Sequence, residues 1–250
     1  KITALEAKSL GVHVTFAPVM DVNNNPNNPI INFRSYGDNP QQVSDFGNRF
    51  IEGFQSQGLI ACVKHFPGHG NTSVDSHSSL PIISGDRESL NKVEFLPFKE
   101  AVKNGVKMVM TGHIALPEID GNVPASHSYR MSSELLREEW GFQGLVVTDG
   151  MEMAGLTKSV WAGESAVRAV EAGTDILLLP MNVKQSIDAL EQAVQSGRIS
   201  ESRIDESVAR IFKTKENLGL FANAGISNFK NVESIVGIKS HMDKAKKIAR

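Results

Sequence analysis

The sequence predicts an α/β fold in which a parallel sheet curls into a barrel, and three observations predict it. Short apolar runs such as Leu145-Val146-Val147 and Ile176-Leu177-Leu178-Leu179 are unbroken by polar residues, as in strands covered on both faces. These runs alternate strictly with segments of helical spacing, which gives a parallel sheet with helical crossovers. Third, Asp21, Lys64, His65, His113 and Asp149 all fall at the C-terminal ends of strand runs. In a barrel those ends share one face, whereas an open sheet spreads them along a line.

The elements follow in order. Residues 1–10 read as a helix stopped by Gly11. Residues 12–19 read as a strand with Pro18 near its end, and residues 21–39 as a loop rich in Asn and Pro. Asp38 or Asn39 can cap a helix with Pro40 in its first turn. Its Val43, Phe46, Phe50 and Phe54 recur at helical spacing up to Gly58. Residues 59–65 form the next strand. Residues 87–104 read as helical with a break near Pro97, stopped by Gly105. Residues 106–115 are a strand, 116–129 a polar loop, and Ser132 caps a short helix holding Leu135, Leu136 and Trp140. A strand over 144–148 ends at Asp149. Helices over 162–172 and 184–196 flank a strand over 176–179, and Ser200 caps a last helix carrying Ile204, Val208, Ile211 and Phe212. Five strand–helix units result.

With 250 residues, 40% of them apolar, the chain can bury one large core. The pattern decays after Gly219. The domain reading is therefore one large α/β domain over 1–222, then a linker and the approach to a further C-terminal domain over 223–250. A helix already under way at Lys1 points to a longer parent chain. The net charge of −2 and the absence of a basic stripe argue against nucleic-acid binding. No run approaches a membrane span in length. The one cysteine, Cys62, lies in an apolar strand and reads as a buried thiol.

The stretch Lys64-His65-Phe66-Pro67-Gly68-His69-Gly70, continuing to Asp75-Ser76-His77, holds three histidines, a lysine and an aspartate in a glycine-rich loop. Connections between a strand and a helix usually take two to six residues; long ordered ones are usually functional. The glycines and the lack of apolar anchors predict that residues 67–81 are mobile without ligand. Asp75 and His77 share one side of an extended segment, where the carboxylate orients the imidazole and favours its charged form. The pair serves either as a proton donor and acceptor or as a loop-stabilising hydrogen bond. Asp149 is either a turn cap or a nucleophile held ionised by Lys64. Arg34 can grip hydroxyls or a carboxylate, or pair with Asp21 or Asp38. His65 and His69 have the spacing of a helical metal site, but Pro67, Gly68 and Gly70 argue against a helix there. Met151, Met153 and Trp161 read as packing beneath the loop, with a pocket lining as the alternative.

Three stretches resemble a known family: Phe16-Ala17-Pro18-Val19-Met20-Asp21-Val22 with Arg34-Ser35-Tyr36, the Lys64–His77 stretch, and Val147-Thr148-Asp149. They are similar to the family 3 glycoside hydrolases, in particular their β-N-acetylglucosaminidase branch. The resemblance covers about residues 1–222. It implies a (β/α)8 TIM barrel of which the later units are visible here. It also implies a retaining hydrolysis of terminal β-linked N-acetylglucosamine, from peptidoglycan or chitin fragments, through a glycosyl-enzyme. Asp149 would be the nucleophile, His77 the acid/base partnered by Asp75, and Lys64, His65, Arg34, Asp21 and His113 would contact the sugar. No cofactor or metal is implied; the partner is a carbohydrate. Gly150 departs from the Asp, Ala or Ser common after the nucleophile. The alternatives are transfer to phosphate, a non-catalytic sugar-binding domain, and a metal-dependent hydrolase using His65, His69 and His113.

Overall fold

The computed structural model describes residues 1–157, 160–222 and 229–249. Four parallel strands, β1 (Val14–Thr15), β2 (Ile60–Phe66), β3 (Met108–Thr111) and β4 (Leu145–Thr148), pair in chain order. The predicted fifth run extends that order through one parallel bridge, Val147 to Ile176. Beyond it the Leu178 N–H donates to Thr148 Oγ1 (3.0 Å), so the ladder lapses. Each strand neighbours the next with no reversal of order, so right-handed crossovers put the helices on one side. A doubly wound sheet needs a reversal; this one is built like a barrel wall.

The helices are α1 (Ile2–Ser9), α2 (Pro40–Gln55), α3 (Arg87–Lys92), α4 (Leu96–Lys103), α5 (Pro117–Asp120), α6 (Ala154–Thr157), α7 (Ala162–Ala172), α8 (Val183–Gln195) and α9 (Glu201–Asn217). Strand residues alternate between two clusters, as the period of two requires. Ala61, Val63, Val109 and Val146 pack with Phe54, Phe95, Phe98 and Leu136 on the helix side. Ile60, Cys62, Met108, Met110, Leu145 and Val147 form the other cluster, against which Ile176, Ile211 and Leu218 pack. Each large side chain buried this way contributes roughly 1.5–3 kcal/mol.

Several elements differ from the sequence reading. Only Val14 and Thr15 form regular strand within 12–19. Pro18 has no N–H to donate, and pairing resumes where Met20 N–H meets the Lys64 carbonyl at 2.7 Å. Asn39, not Asp38, caps α2, its Oδ1 accepting the Gln42 N–H at 3.0 Å. The buried face of α2 is Val43, Gly47, Ile51 and Phe54. Phe46 is exposed and stacks on Tyr36 at 5.9 Å. The phase is set by Gly47: Met20 Sδ sits 2.1 Å from where a Cβ would be. Residues 87–104 split into α3 and α4, with Pro97 in the first turn of α4, where its missing N–H costs nothing. A wide π-helix (Arg130–Glu139) replaces the helix expected from Ser132, and Ser128 Oγ accepts the Met131 N–H at its start (3.1 Å).

A buried ion cluster at the N-terminal ends of the strands was not singled out in the sequence. The fully buried Asp175 carboxylate accepts from Arg137 (2.7 Å), Arg210 (3.0 Å), Ser207 Oγ (2.7 Å) and the Val146 N–H (2.9 Å). It thereby ties α9 and the π-helix to β4. In the predicted linker and tail, residues 223–228 and 250 lie outside the described residues. The rest contains α10 (Phe229–Ile235) and α11 (Lys239–Ile248). This segment folds back on α1: Glu6 Oε1 accepts from the Gly237 N–H (3.0 Å) and meets His241 Nδ1 (2.7 Å). Among the described residues no helix is long and apolar enough to cross a membrane.

Candidate active site

Asp149 ends β4. Its N–H donates to the Thr111 carbonyl (2.8 Å), and its Oδ1 accepts the N–H of Gly150 (2.8 Å). Its Oδ2 lies 4.0 Å from His65 Nε2, and the side chain keeps 21% exposure. The carboxyl therefore stands at the His65 corner and reaches solvent. An added Cβ at Gly150 would meet Met153 and Leu179 at 3.8–3.9 Å, ordinary contact, so the departure at Gly150 leaves the turn intact.

His65, on β2, is nearly buried. Its Nδ1 donates to Asp21 Oδ2 (2.8 Å), which leaves Nε2 to accept from Arg34 Nη2 at 3.5 Å. Arg34 also donates to the Ile30 carbonyl (3.2 Å). Lys64 is half-buried. Burial and the neighbouring Arg34 charge push its ammonium below the ordinary range, against the pull of Asp149. Lys64, His65, Arg34 and Asp149 thus form one polar cluster at the strand tips.

Asp21 and His113 depart from the expectation that they contact sugar. Asp21 is fully buried and both of its oxygens are engaged: Oδ1 accepts the N–H of His65 (3.1 Å) and of His69 (2.7 Å), and Oδ2 holds the His65 ring. Burial pushes this carboxyl up, but the attraction to His65 and the hydrogen bonds from it outweigh that and hold it below the ordinary carboxylate value. His113 is also fully buried. Its Nε2 donates to the Gly150 carbonyl (2.9 Å) and its Nδ1 accepts from Ser126 Oγ (2.8 Å). Neither offers a free polar atom to a ligand; both fix the residues that do.

Asp75 and His77 form a closed unit. Asp75 Oδ1 accepts the His77 N–H and the Nδ1–H, each at 2.8 Å. Burial raises the Asp75 carboxyl, and the two bonds from His77 more than offset it, so it stays below its usual value. The His77 ring is 62% exposed, with Nε2 available to exchange a proton. The metal reading loses its donors: His69 spends Nδ1 on Thr72 Oγ1 (2.7 Å) and Nε2 on Ser76 Oγ (3.0 Å). Among the described residues no three His, Cys, Asp or Glu side chains are arranged to hold an ion. Met151 and Met153 are buried, while Trp161 is exposed.

Two supporting residues escaped the sequence reading. Buried Asn28 donates to the carbonyls of His69 (2.7 Å) and Gly70 (3.0 Å), and its Oδ1 accepts from Ile30 (3.0 Å) and Ile31 (2.7 Å). It locks the Arg34 loop to the histidine loop, and nothing distinguishes it in sequence from the other asparagines of that loop. Gly70 is the second: a Cβ there would fall 1.7 Å from the Val22 carbonyl oxygen. A cavity of about 660 Å³ at the opposite end of the strands, lined by Gly58, Gly105, Gly144, Arg210 and Leu218, holds none of the predicted site residues.

The model of the glycosyl hydrolase family 3 N terminal domain matches residues 1–214. Beta-hexosaminidase A of Pseudoalteromonas piscicida is 38% identical over 234 residues, 85% of this chain and 39% of that protein. The solved family 3 beta-N-acetylglucosaminidase of Paenibacillus sp. str. FPU-7 superposes with TM-score 0.84 at 41% identity, covering 94% of this chain and 49% of that one. A beta-glucoside phosphorylase, BglX, superposes with TM-score 0.93 at 27% identity over 98% of this chain and 46% of that one. The chain thus spans from about two fifths to half the length of these relatives. Its fold is TIM-barrel-like. On the match to residues 1–214, the identities and the structural superposition, the chain belongs to glycosyl hydrolase family 3, within its N-terminal domain.

Proposed function

We propose that the protein carrying this chain is a retaining exo-β-N-acetylglucosaminidase acting on terminal β-linked N-acetylglucosamine of peptidoglycan or chitin fragments, with the catalytic domain over residues 1–222. The observation that carries the reading is the ionisable Asp149 carboxyl at a strand tip, 4.0 Å from His65 and open to solvent, with the Asp75–His77 pair on the neighbouring loop. Asp149 attacks the anomeric carbon. The bond to the leaving oxygen breaks, and that oxygen takes the proton from His77 Nε2, with Asp75 stabilising the imidazolium before transfer. Water then attacks the same carbon, gives its proton to His77 and releases Asp149 as carboxylate, the double displacement of retaining enzymes. Arg34, Lys64 and the His65 ring hold sugar hydroxyls; Asp21 and His113 set their supports. A neutral imidazole in place of a second carboxylate also avoids a full negative charge beside the nucleophile. The test uses the full-length protein and 4-nitrophenyl N-acetyl-β-glucosaminide. Asp149→Ala lowers kcat by about 10⁴-fold or more, and unchanged turnover would remove Asp149 from this role.

The likeness to a beta-glucoside phosphorylase favours a second reading, in which phosphate replaces water in the second step. A strict phosphate requirement for turnover would select it.

A further inference from the structure

Residues 67–81 contain no helix or strand, yet Ser76 within them is only 2% exposed, between half-buried Asp75 and exposed His77. Two bonds hold it. Its carbonyl accepts the Gly155 N–H from α6 (3.1 Å), and its hydroxyl meets His69 Nε2 (3.0 Å). Gly155 suits that approach, since a Cβ there would fall 2.8 Å from the Ser76 oxygen.

The direction of the His69–Ser76 bond follows from its surroundings. The Thr72 hydroxyl spends its proton on the His69 carbonyl (3.0 Å). It therefore accepts from Asn28 Nδ2 (3.3 Å) and from His69 Nδ1–H (2.7 Å). That leaves His69 Nε2 with a lone pair, and Ser76 O–H donates to it. Burial favours this neutral ring. The His69 backbone is fixed as well, its N–H on Asp21 Oδ1 (2.7 Å) and its carbonyl on Asn28 (2.7 Å).

Asp75 and His77 are bonded to each other through both ring and backbone, so they shift together as one body. Ser76 ties that body to the barrel among the described residues. We propose that His69, acting through the Ser76 hydroxyl, is the positioning residue that sets the Asp75–His77 pair against the bond to be cleaved. A chain of contacts then runs from Asp149 to His65, Asp21, His69 and Ser76, so one carboxylate orients both sides of the reacting centre. This inference rests on the reading of His77 as acid/base.

The experiment compares two N-acetyl-β-glucosaminides in the full-length protein. One carries phenol, which needs protonation to leave, and the other 2,4-dinitrophenol, which does not. In Ser76→Ala, kcat/KM for the phenyl substrate falls about 10²-fold, the scale of a misplaced catalytic group. For the dinitrophenyl substrate kcat/KM holds, because it reports only the first step, while kcat and KM fall together as the glycosyl-enzyme waits for its base. Ser76→Thr restores the phenyl rate. Thr72→Val, which frees the His69 ring, repeats the selective loss by a second route. His77→Ala shows the same selectivity more deeply. Equal losses on both substrates, or none, in Ser76→Ala and Thr72→Val overturn the positioning role while leaving the site reading intact. An unselective His77→Ala would overturn that reading instead.

Discussion

Asp21 Oδ2 lies 2.8 Å from His65 Nδ1, so a carboxylate with no access to solvent sets the ring of the residue that faces Asp149. Asp21→Asn keeps the shape but replaces one oxygen with an amide that cannot accept the Nδ1–H. The His65 ring then loses its tautomer and its orientation. The expected outcome is a fall of about 10²-fold in kcat/KM, read by steady-state kinetics, with the fold kept by circular dichroism.

The histidines behind the site make stability depend on pH. Burial pushes His127 down to about 3, and it pushes His113 in the same direction. In the unfolded chain each titrates near ~6.5. Below that value the unfolded chain takes up protons that the native protein does not. Stability is therefore full above ~6.5 and declines as pH falls toward the native values. The urea midpoint should drop between about pH 7.5 and about pH 4.5. His127→Gln, which keeps an acceptor near Ser165 but cannot titrate, should lessen that drop.

Removing Asp175 strands two arginines, Arg137 and Arg210, around a buried site. Asp175→Ala should cost about 3–5 kcal/mol, the scale for breaking a buried ion cluster. Calorimetry should show a Tm lower by about 10 °C. Because the cluster sits at the strand ends opposite Asp149, kcat/KM well below the transition should stay near the wild-type value.

Gly70→Ala places a methyl group 1.7 Å from the Val22 carbonyl oxygen, a backbone atom that cannot rotate away. Stability should fall by about 1–3 kcal/mol in urea titrations, and activity should fall with it. Gly105→Ala meets nothing within 4 Å and carries only the strain of its φ of +75°, so activity should persist there.

The sequence made the strand tips legible because apolar runs end sharply at Lys64-His65 and at Asp149, and a parallel wall delivers such ends to one face. It did not reveal which way a tip side chain turns. Asp21 and His113 occupy equivalent places, but nearby N–H groups, a serine hydroxyl and a backbone carbonyl claim their polar atoms, and those partners come from distant segments. The α2 face was misjudged by one position because Gly47 carries no apolar signal while serving as the contact for Met20. The loop over 67–81, expected to be mobile for want of apolar anchors, has polar ones, Thr72 and Ser76, which hydropathy cannot register. Asp175 and its arginines carry no mark in the sequence of the buried cluster they form once the fold brings α9 across.

The backbone around Asp149 is tied on both sides, through Thr111 before it and through the His113 bond to Gly150 after it. The Asp149 carboxyl is thus held at the strand tip by bonds on either side of its own backbone. On the proposed reading, adjustment to a new leaving group within this chain falls first to residues 67–81, which carry no helix or strand.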